Sequence, residues 1–332
     1  MILSQIGERT VIVPHMEPAV RALHDDALVA AITEAVGTSK LESLGGFESF
    51  VYEATDTRIV KATWHDRRTP EQIGAEIHFI NYLADGGAPV CRALPLGDGS
   101  MLRTVSASTG AFHVYALEKA AGAILARNER TDEHWIRWGA LVGQLHRLSA
   151  EYPGPPAPLQ RPTWEQEHAA IERFVEKDSI FLRRFRDTIG AVGALPREAG
   201  AYGSMHTDLH SYNIFWQNGE PRVFDFDDML EFWFIADLAI VLYYGLLGDY
   251  DDLQAEFERM RDLLLRGYAT EHALPQWSHD ALPHFLALRE HTLRAVILRS
   301  VPEAERTPGW RRFLDEATER IHAGRPALGL RF

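Results

Sequence analysis

Cysteine is nearly absent from this 332-residue sequence, with Cys91 alone. That excludes an internal disulfide and any cysteine-built zinc site, and it fits a reducing compartment. Lysine is scarce as well: Lys40, Lys61, Lys119 and Lys177 are the only four among 34 basic residues. Positive charge is in deficit overall, the net charge being −13. A nucleic-acid binder needs a basic face for the phosphates, so that class is set aside. An acidic balance suits a cationic substrate, although surface acid commonly serves solubility alone. The most apolar stretch, Phe232 to Leu247, is broken by Asp237 and is too short to span a bilayer. Met1 to Pro18 contains Glu8, Arg9 and His15 and builds no apolar core of a signal peptide. The expectation is a cytoplasmic protein with no membrane partner; oligomeric state is left open.

What is present falls into two unlike parts. An opening helix is expected over roughly Glu17 to Val36. Phe50–Ala54 and Arg58–Ala62 then flank the polar turn Thr55-Asp56-Thr57, the pattern of a hairpin. A helix follows with strong start signals: Thr69 as N-cap, Pro70 at its first position and Gln72 to complete a capping box. Ile73, Ile77 and Ile80 recur along one face, and Gly86-Gly87 end the helix. Two more strands are expected near Met101–Val105 and Phe112–Leu117. From Thr131 the pattern is helical, with helices over Trp135 to Leu148 and about Trp164 to Ile189 separated by a proline-rich loop from Pro153 to Pro162. Gly203 to Asp228 interrupts this rhythm with short β-like runs.

That interruption holds the strongest chemical signal. His206-Thr207-Asp208-Leu209-His210-Ser211-Tyr212-Asn213 is followed, twelve residues after the asparagine, by Asp225-Phe226-Asp227. Phosphoryl transfer asks for phosphates held in place, charge neutralised by metal, and a hydroxyl aimed in line. Asp208 is placed to accept the hydroxyl proton, while Asn213 and Asp225 offer the hard oxygens that Mg²⁺ prefers.

Partners for this set lie upstream. Lys61 sits inside an apolar strand, where a bare ammonium is costly to bury without a counter-charge. Glu76 comes three residues after Ile73 and four before Ile80, beside the apolar stripe of its helix. The two are expected to satisfy one another and to fix the ammonium near the α- and β-phosphates of ATP. Before that strand, Gly45-Gly46-Phe47-Glu48-Ser49 can close a glycine loop over the phosphates, with Ser49 adding a hydroxyl donor. Glu118 to Ala120, where a strand leaves the β-rich part, is expected to present its backbone to adenine.

In these motifs the sequence resembles the aminoglycoside phosphotransferase/choline kinase-like superfamily, from about Leu41 to Tyr244 and most densely over His206–Tyr244. The resemblance implies an α+β, bilobal protein kinase-like fold. A small β-rich N-terminal lobe (1–118) with one key helix would precede a larger, mainly helical lobe (119–332). It further implies Asp208 as catalytic base, Asn213 and Asp225 as Mg²⁺ ligands, Lys61 as phosphate-binding lysine and Glu76 as its partner. His206 and Asp237 would support the loop. Two departures stand out. Thr207 replaces the arginine that regulated protein kinases carry before the aspartate, and Asp227 replaces the glycine of the usual Asp-Phe-Gly.

The expected activity is therefore an ATP-dependent phosphotransferase acting on a hydroxyl of a small molecule, with GTP left open as the nucleotide. A cationic amino alcohol, amino acid or aminoglycoside-like acceptor would meet Asp227, Asp228 and Glu231, with Asp249, Asp251, Asp252 and Glu256 nearby. Three other readings stand beside it: a stress-response type protein Ser/Thr kinase, a non-catalytic nucleotide-binding pseudokinase, and a metal hydrolase built on His206, Asp208 and His210.

Overall fold

Alternation along the lysine-bearing strand organises the N-terminal part. The structure, a computed structural model, describes residues 18–332 apart from 39, 56 and 176; the opening segment 1–17, expected to hold no signal-peptide core, lies outside the described residues. Helices α1 (Pro18–Arg21) and α2 (Asp26–Val36) precede strands β1 (Glu42–Gly45), β2 (Ser49–Thr55) and β3 (Arg58–Trp64). Helix α3 (Pro70–Asp85) and strands β4 (Ala93–Leu94), β5 (Arg103–Ala107) and β6 (Gly110–Glu118) follow. The strands form one antiparallel sheet in the order β1-β2-β3-β6-β4, with β5 also on β6. On β3, Val60 and Ala62 are buried in one cluster with Leu28 and Ile32 of α2. Lys61 and Thr63 point the other way by the two-residue strand period. Each fully buried Leu or Ile in that cluster contributes about 1.5–3 kcal/mol of transfer free energy.

The capping box of α3 is present: Thr69 N donates to Gln72 Oε1 at 3.0 Å, and Gln72 N donates to Thr69 Oγ1 at 3.3 Å. Ile73, Ile77, Ile80 and Leu83 are buried on the face opposite α2. The expected opening helix is two, because Asp25 caps α2 by accepting from Leu28 N at 2.7 Å.

The C-terminal part comprises α4 (Asp132–Ala150), α5 (Trp164–Glu172), α6 (Ser179–Gly193), strands β7 (Tyr202–Met205), β8 (Ile214–Gln217), β9 (Glu220–Val223) and β10 (Leu230–Trp233), then α7 (Ile235–Leu246), α8 (Leu253–Tyr268), α9 (Gln276–Asp280), α10 (Leu282–Ser300) and α11 (Pro308–Ala323). The helix expected over Trp164 to Ile189 is also two, since Asp178 caps α6 through Phe181 N at 2.9 Å. Helices α4 and α8 approach closely: a Cβ on Gly267 would lie 1.8 Å from Ile136 O. Two small sheets, β7 with β10 and β8 with β9, carry the chemistry. The loop 206–213 joins β7 to β8, and the loop 224–229 joins β9 to β10. The architecture is α+β, a sheet-bearing N-terminal region followed by a helical one, and no helix among the described residues is long and apolar enough to cross a membrane.

Candidate active site

Lys61 is 5% exposed, so its ammonium needs a partner. Asp225 supplies it, Lys61 Nζ donating to Asp225 Oδ1 at 2.8 Å. Burial by itself would lower the lysine, but Asp225, with Tyr115, Asp227 and Glu76 around it, holds it well above its ordinary value. The direct Lys61–Glu76 pair expected from sequence is not formed. Tyr115 stands opposite Lys61 in the β3–β6 register and donates to Glu76 Oε1 at 3.1 Å. Arg161 Nη1 lies 4.0 Å from Glu76 Oε2. Burial pushes the Glu76 carboxyl up to about 7 in spite of Lys61 and Arg161. The two residues still share one buried charge cluster, with Asp225 as the lysine's closest partner.

The loop 206–213 is held from beneath. Asp237, fully buried in α7, accepts from Thr207 N at 2.9 Å and from His206 N at 3.3 Å, and pairs with His146 Nε2 at 3.2 Å. A carboxylate in an otherwise apolar helix thus satisfies loop N–H groups that would be orphaned. His206 accepts from Asp208 N at 3.2 Å through Nδ1, and its Nε2 meets Phe224 O at 3.1 Å, tying the two chemical loops together. Asp208 Oδ1 accepts from Arg289 Nη2, and Oδ2 meets His210 Nε2 at 3.2 Å and Asn213 Nδ2 at 3.4 Å. Burial would raise the Asp208 carboxyl, but His210 and the Arg289 guanidinium hold it well below the usual carboxylate range. With their ring nitrogens engaged in this way, His206 and His210 give no support to a metal-hydrolase triplet.

Asn213 Nδ2 also donates to Asp208 O at 2.9 Å, which leaves the side-chain oxygen of Asn213 for another partner. Asp225 lies in left-handed backbone at φ 69. Its side chain is 40% exposed against 6% for Lys61, so the carboxylate keeps a face open to the cleft. Asp227 Oδ1 is buried and has no hydrogen-bond partner. Burial would raise this carboxyl too, yet Lys61, Arg67, Arg68 and Arg161 hold it well below the ordinary range. Hard oxygens from Asn213 and Asp225, beside an unsatisfied buried carboxylate oxygen, fit a divalent cation.

Several arginines brace this loop that sequence reasoning did not single out. Arg161, in the proline-rich loop, donates to Met229 O at 2.8 Å, to Gln72 O at 3.3 Å and to Asp227 O. Arg68 binds Asp227 O at 3.2 Å and Glu167 Oε1 at 2.5 Å. Arg67 meets Asp228 Oδ1 at 3.2 Å and also Glu48, which Arg299 of α10 holds from the other side.

Two cavities open on either side. One is lined by Gly46, Ser49, Lys61, Glu118, Ala120, Asp225 and Asp227. The other has an apolar wall including Phe174, Phe232, Phe285 and Val296, with Glu167, Asp228 and Arg289 among its charged residues. Asp208, Asp228, Phe47 and Glu48 line both. Gly46 has φ +133, and a Cβ there would sit 1.9 Å from Ser49 O, so the tight turn after Gly45 requires glycine. The Ser49 hydroxyl, expected as a phosphate donor, is already shared with its register partner Thr63 at 2.9 Å. Glu231 is exposed on β10 and lines neither cavity. Asp249, Asp251, Asp252 and Glu256 are likewise outside both; Asp252 instead caps α8 through Ala255 N at 3.0 Å. A sequence signal for the second cavity did exist in α10. Phe285, Arg289, Thr292, Val296 and Arg299 follow one helical face, and all line it.

A family model described as "Phosphotransferase enzyme family" matches residues 41–277. Amicoumacin kinase of Bacillus subtilis (strain 168) is 28% identical over 317 residues, spanning 90% of this chain and 94% of that protein. A solved amicoumacin kinase in complex with AMP-PNP, Ca²⁺ and Ami superposes with a TM-score of 0.86 at 25% identity, covering 94% of this chain and 97% of that one. A microcompartment-associated aminopropanol kinase shares the fold, with a TM-score of 0.71 at 21% identity over 92% of this chain and 99% of that one.

Proposed function

Since the chain belongs to the phosphotransferase enzyme family, and is accordingly an ATP-dependent kinase of small-molecule hydroxyls, we propose that Asp208 is its general base and that its acceptor is a bulky, partly apolar molecule of the amicoumacin type. One observation carries this reading: Asp208 belongs to the wall that both cavities share. A transferase needs a base that touches the acceptor hydroxyl and faces the phosphate at once.

In this reading the nucleotide occupies the cavity of Gly46, Lys61 and Asp225, with adenine against the backbone of Glu118 and Ala120. Lys61 faces the phosphates, held by Asp225 and by the Glu76 cluster. Asn213 and Asp225 would hold Mg²⁺, which when bound neutralises phosphate charge. Asp208 orients the acceptor hydroxyl and takes its proton, and Asp237 and His206 keep the loop that carries it in place. Asp228, at the edge of both cavities, and Glu167 supply negative charge for a cationic group on the acceptor. The apolar wall formed by Phe174, Phe232 and Phe285 accommodates a ring system, for which a small amino alcohol would have no use.

The test is turnover of Mg-ATP with a panel containing amicoumacin, aminoglycosides and small amino alcohols. Phosphorylation of amicoumacin in preference to the small amino alcohols is expected. Asp208→Asn should lower turnover by about 10²–10⁴ while Mg-ATP still raises the melting temperature. Near-normal turnover in that variant would remove Asp208 from its role. Equal preference for small amino alcohols would reject the acceptor class.

A further inference from the structure

Among the described residues, Arg289 is the arginine whose carboxylate partner is Asp208 itself. Arg67, Arg68 and Arg161 brace Asp227, Asp228 and the carbonyls around them. Arg289 reaches in from α10 and uses a single nitrogen, Nη2, for both Asp208 Oδ1 and the Tyr244 hydroxyl, the latter at 2.5 Å. Its guanidinium lies over the Tyr244 ring, 4.8 Å from the centroid. Its Nε is buried without a hydrogen-bond partner. The other Asp208 oxygen already meets His210 and Asn213, so Oδ1, on which the guanidinium sits, is the oxygen left for a hydroxyl that is to give up its proton. Arg289, Tyr244, His210 and Asp208 all line the acceptor cavity.

We propose that Arg289 is a positioning residue that caps Asp208 until the acceptor displaces it, so that bound ATP is not hydrolysed by water. This rests on the reading of Asp208 as general base. In transfer, the acceptor oxygen forms its bond to the γ-phosphorus, the bond from that phosphorus to the β–γ bridging oxygen breaks, and ADP leaves with the electron pair. The hydroxyl proton passes to Asp208 Oδ1, the oxygen the guanidinium had held. Water in the acceptor's place gives the same balance, with ADP and inorganic phosphate as products. A small water molecule fails to dislodge a charged hydrogen bond that is also anchored to Tyr244, whereas an acceptor filling the cavity does so through its own contacts. The Tyr244 hydroxyl and ring give the displaced guanidinium a place to stay.

The experiment measures phosphate release from Mg-ATP by the full chain with no acceptor present, so it does not depend on knowing the acceptor. Arg289→Met is expected to raise this hydrolysis about tenfold or more, a fraction of what a positioned general base supplies. Arg289→Lys, which keeps the charge, should return it toward the original level. Asp208→Asn placed on top of Arg289→Met should abolish the gain. Unchanged or lower hydrolysis in a folded Arg289→Met protein overturns the proposal, as does hydrolysis that survives loss of Asp208. If Arg289→Met does not fold, Tyr244→Phe loosens the same guanidinium and should raise hydrolysis several-fold; no rise overturns the proposal. Mg-ATP binding by the unaltered chain, read from its melting temperature, separates this from the functional reading, because absence of binding defeats that reading instead.

Discussion

A general base is normally kept poised near the working pH, yet Asp208, proposed above for that role, is held well below the ordinary carboxylate range by His210 and Arg289. Phosphoryl transfer tolerates this, because its barrier falls mainly through positioning and charge neutralisation. The pH profile follows from the sign of the shift. A depressed base stays deprotonated as pH falls, so kcat/KM, which reports the free enzyme, should show no Asp208 limb between about pH 7 and pH 4, the ordinary carboxylate value. A fall centred between about pH 5 and 6 that vanishes in Asp208→Asn would contradict the assignment. At this scale the sequence named several residues that the structure brings together: Asp208, Asn213, Asp225 and Asp237 through the closeness of their spacing, and Lys61 through its place in an apolar strand. Arg289 and Tyr244 were not among them, because the Arg289–Asp208 contact spans 81 residues of chain and the Arg289–Tyr244 contact 45. One arginine among 30 leaves no mark of such a contact; the helical face it shares with Phe285 and Val296 was the sole hint.

The proline-rich loop acquires a task at the scale of elements. Its Arg161 joins α3, through Gln72 O, to the 224–229 loop, through Met229 O and Asp227 O. The element bearing Glu76 and the loop bearing Asp225 are thereby clamped together by a side chain that is only 6% exposed. Arg161→Ala should lower unfolding free energy by about 1.5–3 kcal/mol, the usual scale for charged hydrogen bonds, seen as a lower midpoint in urea with unchanged slope. It should also weaken Mg-ATP binding. Unchanged stability would show that solvent replaces the arginine freely. Element boundaries were legible wherever a cap announced them, as at Thr69. They were missed where a long polar-apolar pattern concealed a break, as at Asp25 and Asp178, each a cap whose helix follows another almost at once.

Across the whole molecule, the glycine loop is tied to the helical part as well as to its own sheet, since Glu48 is gripped by Arg67 on one side and by Arg299 of α10 on the other. Lys61, Asp208 and Asp225 come from distant stretches of chain and converge between sheet and helices, a placement that the motif order foretold. The shape of the acceptor cavity was not foretold, because it is made by α5, β10 and α10, whose apolar residues are indistinguishable in sequence from ordinary core.

The shared wall at Asp208 also dictates the order of events in time. Asp208, Asp228, Phe47 and Glu48 border both chambers, so a hydroxyl in one faces a phosphate in the other directly, and both reactants are expected to be aboard before anything is released. Initial rates measured at several fixed concentrations of the second reactant should give intersecting reciprocal lines, and labelled ADP should not exchange into ATP when the acceptor is withheld. Parallel lines would mean that the two chambers are visited in turn.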